Sequence, residues 1–373
     1  MDFNLSEMQR MLLDSAQRFV EDHYSLHHRR ELRDVPDGLD RAAWSNFAEL
    51  GWLALAIPED QGGIGGSLED VAMLMTAFGS KLVTEPFVST GVLAAHVLAA
   101  ADGPQGELIA SIIGGEALLA LAHDEPDERY AYATPRQTLL TRSGNGYILS
   151  GQKMIVLDGP SATHFIVSAA LEGEEGTALV LVEPAAAGIS ADPYMLVDGA
   201  RASDIKFENV SVPPEAMLVE PARGAVVLAE ALDRANVALM AQAVGSMEAC
   251  LQICAAYLKE RKQFGQPIGK FQALQHIMAD MFVATHQARS ALYRALTFAG
   301  ASAAQRAEAV SLAKLTIGEA SQLVSRQAIQ LHGGYGVTDE YEVSHHYRRL
   351  LTLEKTYGDL DYHTRRLGVR HAA

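Results

Sequence analysis

Cysteine is nearly missing from this chain. Of 373 residues only Cys250 and Cys254 carry a thiol, four positions apart in a stretch patterned as helix. Two thiols at that spacing exclude a disulfide framework and fit core packing in a reducing compartment. Basic residues are also short, 30 Lys and Arg against 46 Asp and Glu, for a formal net charge of -16. That balance argues against nucleic acid and anionic membrane as partners, and an anionic ligand then requires a local basic lining. The amino end, MDFNLSEMQRMLLDSAQRF, lacks a basic region followed by an apolar run, and nowhere do about 18 apolar residues occur without a charge. The expectation is a soluble cytoplasmic protein. What is plentiful is apolar residues, 49% of the chain, enough for a large core in two or three domains.

From Leu5 to Val20, Met8, Leu12, Ala16 and Phe19 recur at three and four positions behind a capping Ser6, which predicts an amphipathic opening helix. Helical patterns follow over Arg41 to Leu50, Leu68 to Phe78 and Val88 to Ala100. The turn material PEDQGGIGG sits between helices rather than after a strand, so its glycines punctuate a loop and are no dinucleotide fingerprint. Near Glu116 the pattern changes to short runs such as QTLLT, GYILSG, HFIVSAA and TALVLVE, bounded by Gly, Pro, Asn and Asp. These read as antiparallel strands and end at Ile205, Phe207 and Val210 before Pro213 and Pro214. Beyond Gly224, Leu228, Leu232, Ala235, Leu239, Ala243, Met247, Leu251 and Cys254 form a long helical seam that breaks at Phe264 and Gly265. Three further helices cover Phe271 to Phe298, Ser302 to Leu331 and Glu340 to Glu354. The predicted class is α+β: an N-terminal helical domain over 1–115, a middle antiparallel β domain over 116–215 and a C-terminal antiparallel four-helix bundle over 216–373.

Two motifs carry the most chemistry. RKQFGQPIGKFQ runs from Arg261 to Gln272, and QLHGGYG from Gln330 to Gly336. Arginine suits a pyrophosphate by its geometry, and paired glycines admit a close backbone approach. With the helix, sheet, helix order, these motifs resemble the acyl-CoA dehydrogenases over nearly the whole chain. The resemblance implies FAD as cofactor, with Arg261, Phe264, Gln272, Gln330, Leu331, His332, Gly333 and Gly334 contacting the adenosine diphosphate end of a flavin held by a neighbouring subunit. It also implies an acyl-CoA substrate and an electron-transferring flavoprotein as acceptor.

Other positions depart from the family. Counting from Gly333, the site of many relatives' catalytic glutamate is Tyr357, a phenol mostly protonated near neutral pH. Some relatives place the base on the long helix before an arginine; those positions are Ala235 and Asn236, with Asp233 and Arg234 two residues out of register. Asp233 and Glu230 remain candidate bases, each with a solvated or salt-bridged role as its simpler reading. Relatives bring hydroxyl and indole groups to the flavin ring from a Thr-Glu-Pro and a Lys-x-Trp-Ile-Thr segment. Here the matching runs are HDEP, with Asp124 before Glu125 and Pro126, and KMIVLDG, with Ile155 and Leu157 in place of the tryptophan and threonine. The pairs His27-His28 and His345-His346 point apart on a helix and predict no metal site. Arg348 and Arg349, near Lys355, are a solvated helix face or a contact for CoA phosphates.

The resemblance thus implies a subunit of a hetero-oligomer, similar to the paired bacterial dehydrogenases that shorten steroid or other bulky acyl side chains. This chain would complete the partner's FAD site while a homologue supplies the glutamate. Two alternatives stay open: a homo-oligomeric dehydrogenase using Asp233 or Glu230, and a non-catalytic flavin-binding or scaffold protein of the same fold.

Overall fold

The computed structural model describes residues 5–126, 129–130 and 136–371. In chain order it begins with helices α1 (Glu7–His23), α2 (Leu26–Leu32), α3 (Arg41–Glu49) and α4 (Leu68–Ser80). A π-helical segment (Val88–Ala94) runs into α5 (Ala95–Ala99), and α6 (Gly106–Ile113) follows. Eight strands come next: β1 (Leu119–Ala122), β2 (Leu139–Ser143), β3 (Gly146–Leu157), β4 (His164–Leu171), β5 (Ala178–Val182), β6 (Ile189–Met195), β7 (Arg201–Val212) and β8 (Met217–Val219). Then α7 (Pro221–Glu260) leads to a two-strand hairpin, β9 (Lys262–Gln263) and β10 (Gln266–Pro267). The chain ends in α8 (Gln272–Thr297), α9 (Ala303–His332), α10 (Glu342–Lys355) and α11 (Leu360–His371).

The chain divides into two compact units, with the cut inside α7. A helical unit holds Met1–Glu31, Leu68–Val83 and Asn236–Ala373; a sheet unit holds Leu32–Ser67 and Thr84–Ala235.

In the helical unit, Ser6 and Gln9 exchange side-chain-to-backbone hydrogen bonds at the start of α1, a full capping box. Helices α8, α10 and α11 pack on α9, and α1 packs on α4. Helices α4 and α7 meet at glycines: a Cβ on Gly79 would lie 2.0 Å from the Gln242 carbonyl, and one on Gly245 1.9 Å from that of Thr76. The four expected C-terminal helices are present, joined by a fifth, α11, which its polar sequence LDYHTRRLGVRH did not announce. By length and composition α7 could cross a membrane, but 78% of its most apolar window is buried, as in a core helix.

In the sheet unit the strand order is β6-β7-β3-β2-β4-β5-β8, with β1 added beside β4. Most pairs are antiparallel, as expected, but β1 and β2 both run parallel to β4. The chain between β1 and β4, including the β2-β3 hairpin, is long enough for the crossover that parallel pairing needs. A core of the unit gathers around Leu140, Leu149, Phe165, Val180, Ile205 and Phe207.

Candidate functional site

The helical unit brings the two glycine-bearing motifs together. Tyr257, one turn before Arg261 on α7, lays its ring on His332 at 4.3 Å between centroids. His332 also meets Tyr341 at 4.9 Å, and Tyr341 meets Tyr335 at 4.5 Å. This aromatic stack fixes the end of α7 against the end of α9. Arg261 is held by its backbone: its N–H donates to the Tyr257 carbonyl (2.8 Å) and its own carbonyl accepts from Ile268 (2.8 Å). Its side chain is exposed, with no acidic partner among the described residues. Phe264 and Gly265 turn the hairpin with φ of +53° and +78°, and Phe264 is left 91% exposed, edge-on to Phe271. A bulky residue in the left-handed region, facing water, gains little from its own chain beyond that one edge-on contact.

Gln272 opens α8 with its side chain exposed, and Gln330 is exposed at the end of α9. Gly333 takes φ +60° and ψ -140°, a conformation for glycine, and nothing lies within 4 Å of a Cβ built on Gly333 or Gly334. Leu331 and His332 have buried side chains, so only their backbones can meet a ligand. An uncompensated guanidinium, two exposed amides and open glycine backbone fit the anionic diphosphate end of a dinucleotide cofactor.

Position 357 sits in the turn between α10 and α11. Tyr357 is half-buried with φ +52°, and its carbonyl accepts from Asn236 Nδ2 at 3.1 Å. Glu354, a buried carboxylate three residues earlier, points at α9, where its Cγ lies 3.3 Å from a Cβ built on Gly318. It accepts from the Leu360 amide and pairs with Lys355.

In the sheet unit the strand carrying Ile155 and Leu157 bulges. Ile155 has φ +51°, and its N–H donates to Asp204 Oδ1 (2.9 Å), which also accepts from the Tyr194 hydroxyl (2.8 Å). Asp158, φ +60°, accepts from the Ser89 hydroxyl, and the Asp124 carboxylate accepts from the Tyr130 amide at 3.2 Å. Burial pushes the Asp124 carboxyl up. Positions 155 and 157 thus present aliphatic side chains, and the nearby hydroxyls of Tyr194 and Ser89 are spent on Asp204 and Asp158.

The retained members of the same motifs form a buried ion pair that sequence reasoning missed. Lys153 Nζ donates to Glu125 Oε1 (2.7 Å), the His123 carbonyl (3.1 Å) and Ser168 Oγ (3.2 Å), with both charged side chains fully buried.

Of the remaining candidates, Glu230 lies 3.5 Å from Arg234 and 3.9 Å from His96, a salt-bridged position. Asp233 is 3% exposed, which removes the solvated one of the two roles expected for it. Ala235 and Asn236 are buried in the interior of α7. Arg348 pairs with Asp339 at 2.7 Å, and Arg349 donates to Gln242 Oε1 at 2.7 Å; both are thus engaged within the protein.

Profiles of three domains match the chain: acyl-CoA dehydrogenase N-terminal domain over residues 6–105, middle domain over 120–210 and C-terminal domain over 222–371. The acryloyl-CoA reductase (NADH) of Anaerotignum propionicum is 29% identical over 384 residues, 97% of this chain and 94% of that one. The mitochondrial isovaleryl-CoA dehydrogenase of Arabidopsis thaliana is 30% identical over 354 residues, 92% of this chain and 85% of that one. Among solved structures, the ChsE4-ChsE5 complex from Mycobacterium tuberculosis matches with a TM-score of 0.90 at 26% identity, over 100% of this chain and 99% of that one. With the helical, β and helical regions in this order, the chain belongs to the acyl-CoA dehydrogenase family of flavoprotein oxidoreductases.

Proposed function

We propose that this chain is a subunit of an FAD-dependent acyl-CoA dehydrogenase, completing the FAD site of a glutamate-bearing homologue and lacking a base of its own. The carrying observation is a contrast. The surface it would lend to a neighbour is open and uncompensated, at Arg261, Gln272, Gln330, Gly333 and Gly334. The positions it would use itself hold Tyr357, Ile155 and Leu157, and the Ile155 amide is engaged by the Asp204 carboxylate. That a structural relative is a complex of two named chains supports the same reading.

In such an assembly Arg261 would neutralise the diphosphate, and the open backbone of Gly333 and Gly334, with the exposed Phe264, would form the surface that receives it. Bound FAD supplies the acceptor for the hydride leaving the β carbon of the acyl-CoA. The α proton would be left to the partner's carboxylate, with an electron-transferring flavoprotein as the acceptor of the assembly.

Arg261→Met in the complex of both chains tests the assignment. FAD is expected to dissociate about tenfold to a hundredfold more readily while the chains stay associated. Unchanged FAD affinity would sink the assignment.

One observation favours a second reading, a homo-oligomeric enzyme with Asp233 as base: that carboxylate is buried, two residues before the helix position where some relatives carry theirs. Asp233→Asn would then abolish turnover with FAD retained.

A further inference from the structure

The turn at position 357 is held from several sides by buried polar groups. Lys314, on the inner face of α9, is 2% exposed. Its ammonium donates to three oxygens: Asn236 Oδ1 at 3.0 Å, the Leu353 carbonyl at 3.1 Å and the Thr356 carbonyl at 2.7 Å. Asn236 turns its amide nitrogen to the Tyr357 carbonyl at 3.1 Å, so one cation and one amide clamp the carbonyls that flank the Tyr357 Cα.

The next residue is as constrained. Gly358 has φ +117°, and a Cβ there would stand 2.6 Å from His363 Nε2 and Tyr362 Cδ1. His363 in turn shares a 3.1 Å hydrogen bond with Ser311 Oγ, tying α11 to α9. Asp359 caps α11 through the Tyr362 amide at 2.9 Å.

Burying an ammonium and holding a tyrosine at positive φ both cost free energy. Strain of this kind persists where the surroundings over-determine it, and what is over-determined here is the direction in which residue 357 leaves the backbone.

We propose that Lys314, acting through Asn236 and the Leu353 and Thr356 carbonyls, is a positioning residue that aims the side chain at 357, so that Tyr357→Glu alone delivers a working base. The proposal rests on the reading that position 357 is the base position of this fold. The step needs no oxidant. The introduced carboxylate takes a proton from the carbon beside the thioester carbonyl as that C–H bond breaks, and the electron pair moves into the thioester. Return of a solvent deuteron re-forms the bond, with no net oxidation or reduction.

The test is deuterium incorporation at the α carbon of butanoyl-CoA in deuterium oxide, followed by mass spectrometry on the full-length chain. Tyr357→Glu is expected to exchange about a hundredfold faster than the unaltered chain. Adding Lys314→Met is expected to abolish the gain, Lys314→Arg to restore part of it, and Asn236→Ala to lower it while leaving Lys314 two carbonyl partners. Thermal melts establish that each variant is folded, and if Lys314→Met does not fold, the Asn236→Ala and Lys314→Arg results decide.

Absence of exchange in Tyr357→Glu, whether or not the CoA ester binds, overturns the proposal, as does equal exchange with and without the Lys314 and Asn236 substitutions. Exchange or desaturation by the unaltered chain alone would instead overturn its reading as a subunit without a base, leaving Lys314 to be judged on the variants.

Discussion

Glu125 is a fully buried carboxylate whose surroundings pull its charge in two directions. Burial alone would raise its carboxyl, yet the charge and hydrogen bond of Lys153, with the amides of Gln137 and Thr138, hold it at about 2. Its folded pKa lies below the ordinary 4.5, so its stabilisation is complete above about pH 4.5 and is lost as pH falls toward 2. Glu125→Gln strands a buried ammonium and is expected to cost about 3–5 kcal/mol, read by urea unfolding at pH 7. It should also remove part of the acid limb of the stability profile; an unchanged limb would mean other carboxylates set it. Nothing in HDEP or KMIVLDG announces this pair, because its partners are 28 residues apart and meet only once the strands are in place. Lys314 was equally silent. A lysine within a helical run reads as a surface residue, and its acceptors lie 39 to 78 positions away. By contrast, Arg261 and Gly333 were legible, since their chemistry depends on local backbone and residue type.

Elements with local signals were read from sequence, and those set by tertiary contact were not. The capping box of α1 and the apolar seam of α7 are contained in a few turns of chain. The π-helical turn at Val88–Ala94, the parallel placing of β1 and β2, and helix α11 all depend on distant partners. The close approach of α4 and α7 is a further case, since Gly79 and Gly245 look like weak points in helical patterns and are instead contact points. Gly245→Ala would drive a methyl into the Thr76 carbonyl and is expected to destabilise by about 1–3 kcal/mol, against a gain for an exposed helical site. A denaturation midpoint that rises would contradict this packing. In the sheet unit, Arg201 closes a different joint. Its guanidinium donates to the carbonyls of Arg33 (2.7 Å), Val35 (2.8 Å), Pro36 (3.2 Å) and Gly199 (2.7 Å). Arg201→Met should free the 33–38 loop, costing about 3 kcal/mol and opening it to limited proteolysis. Protection equal to that of the unaltered chain would show the loop is held otherwise.

For the whole molecule, an acidic chain at net charge -16 carries a small uncompensated basic and glycine-lined surface at the ends of α7 and α9. That contrast gives an anionic ligand a favourable place to meet this chain. The helical and β regions, their order and the family could all be read from the sequence, because two spaced motifs and the switch in hydrophobic period carry that information. Which chain of an assembly owns the chemistry is a property of two surfaces, and one sequence contains only one of them. The most direct measurement is therefore FAD per chain, by absorbance with the oligomer mass, for this protein alone and co-purified with a glutamate-bearing homologue. About one FAD for every two chains, present only in the mixed complex, is the expected result. One FAD per chain in the protein by itself would contradict the shared site and return the search for a base to Asp233 and Glu230.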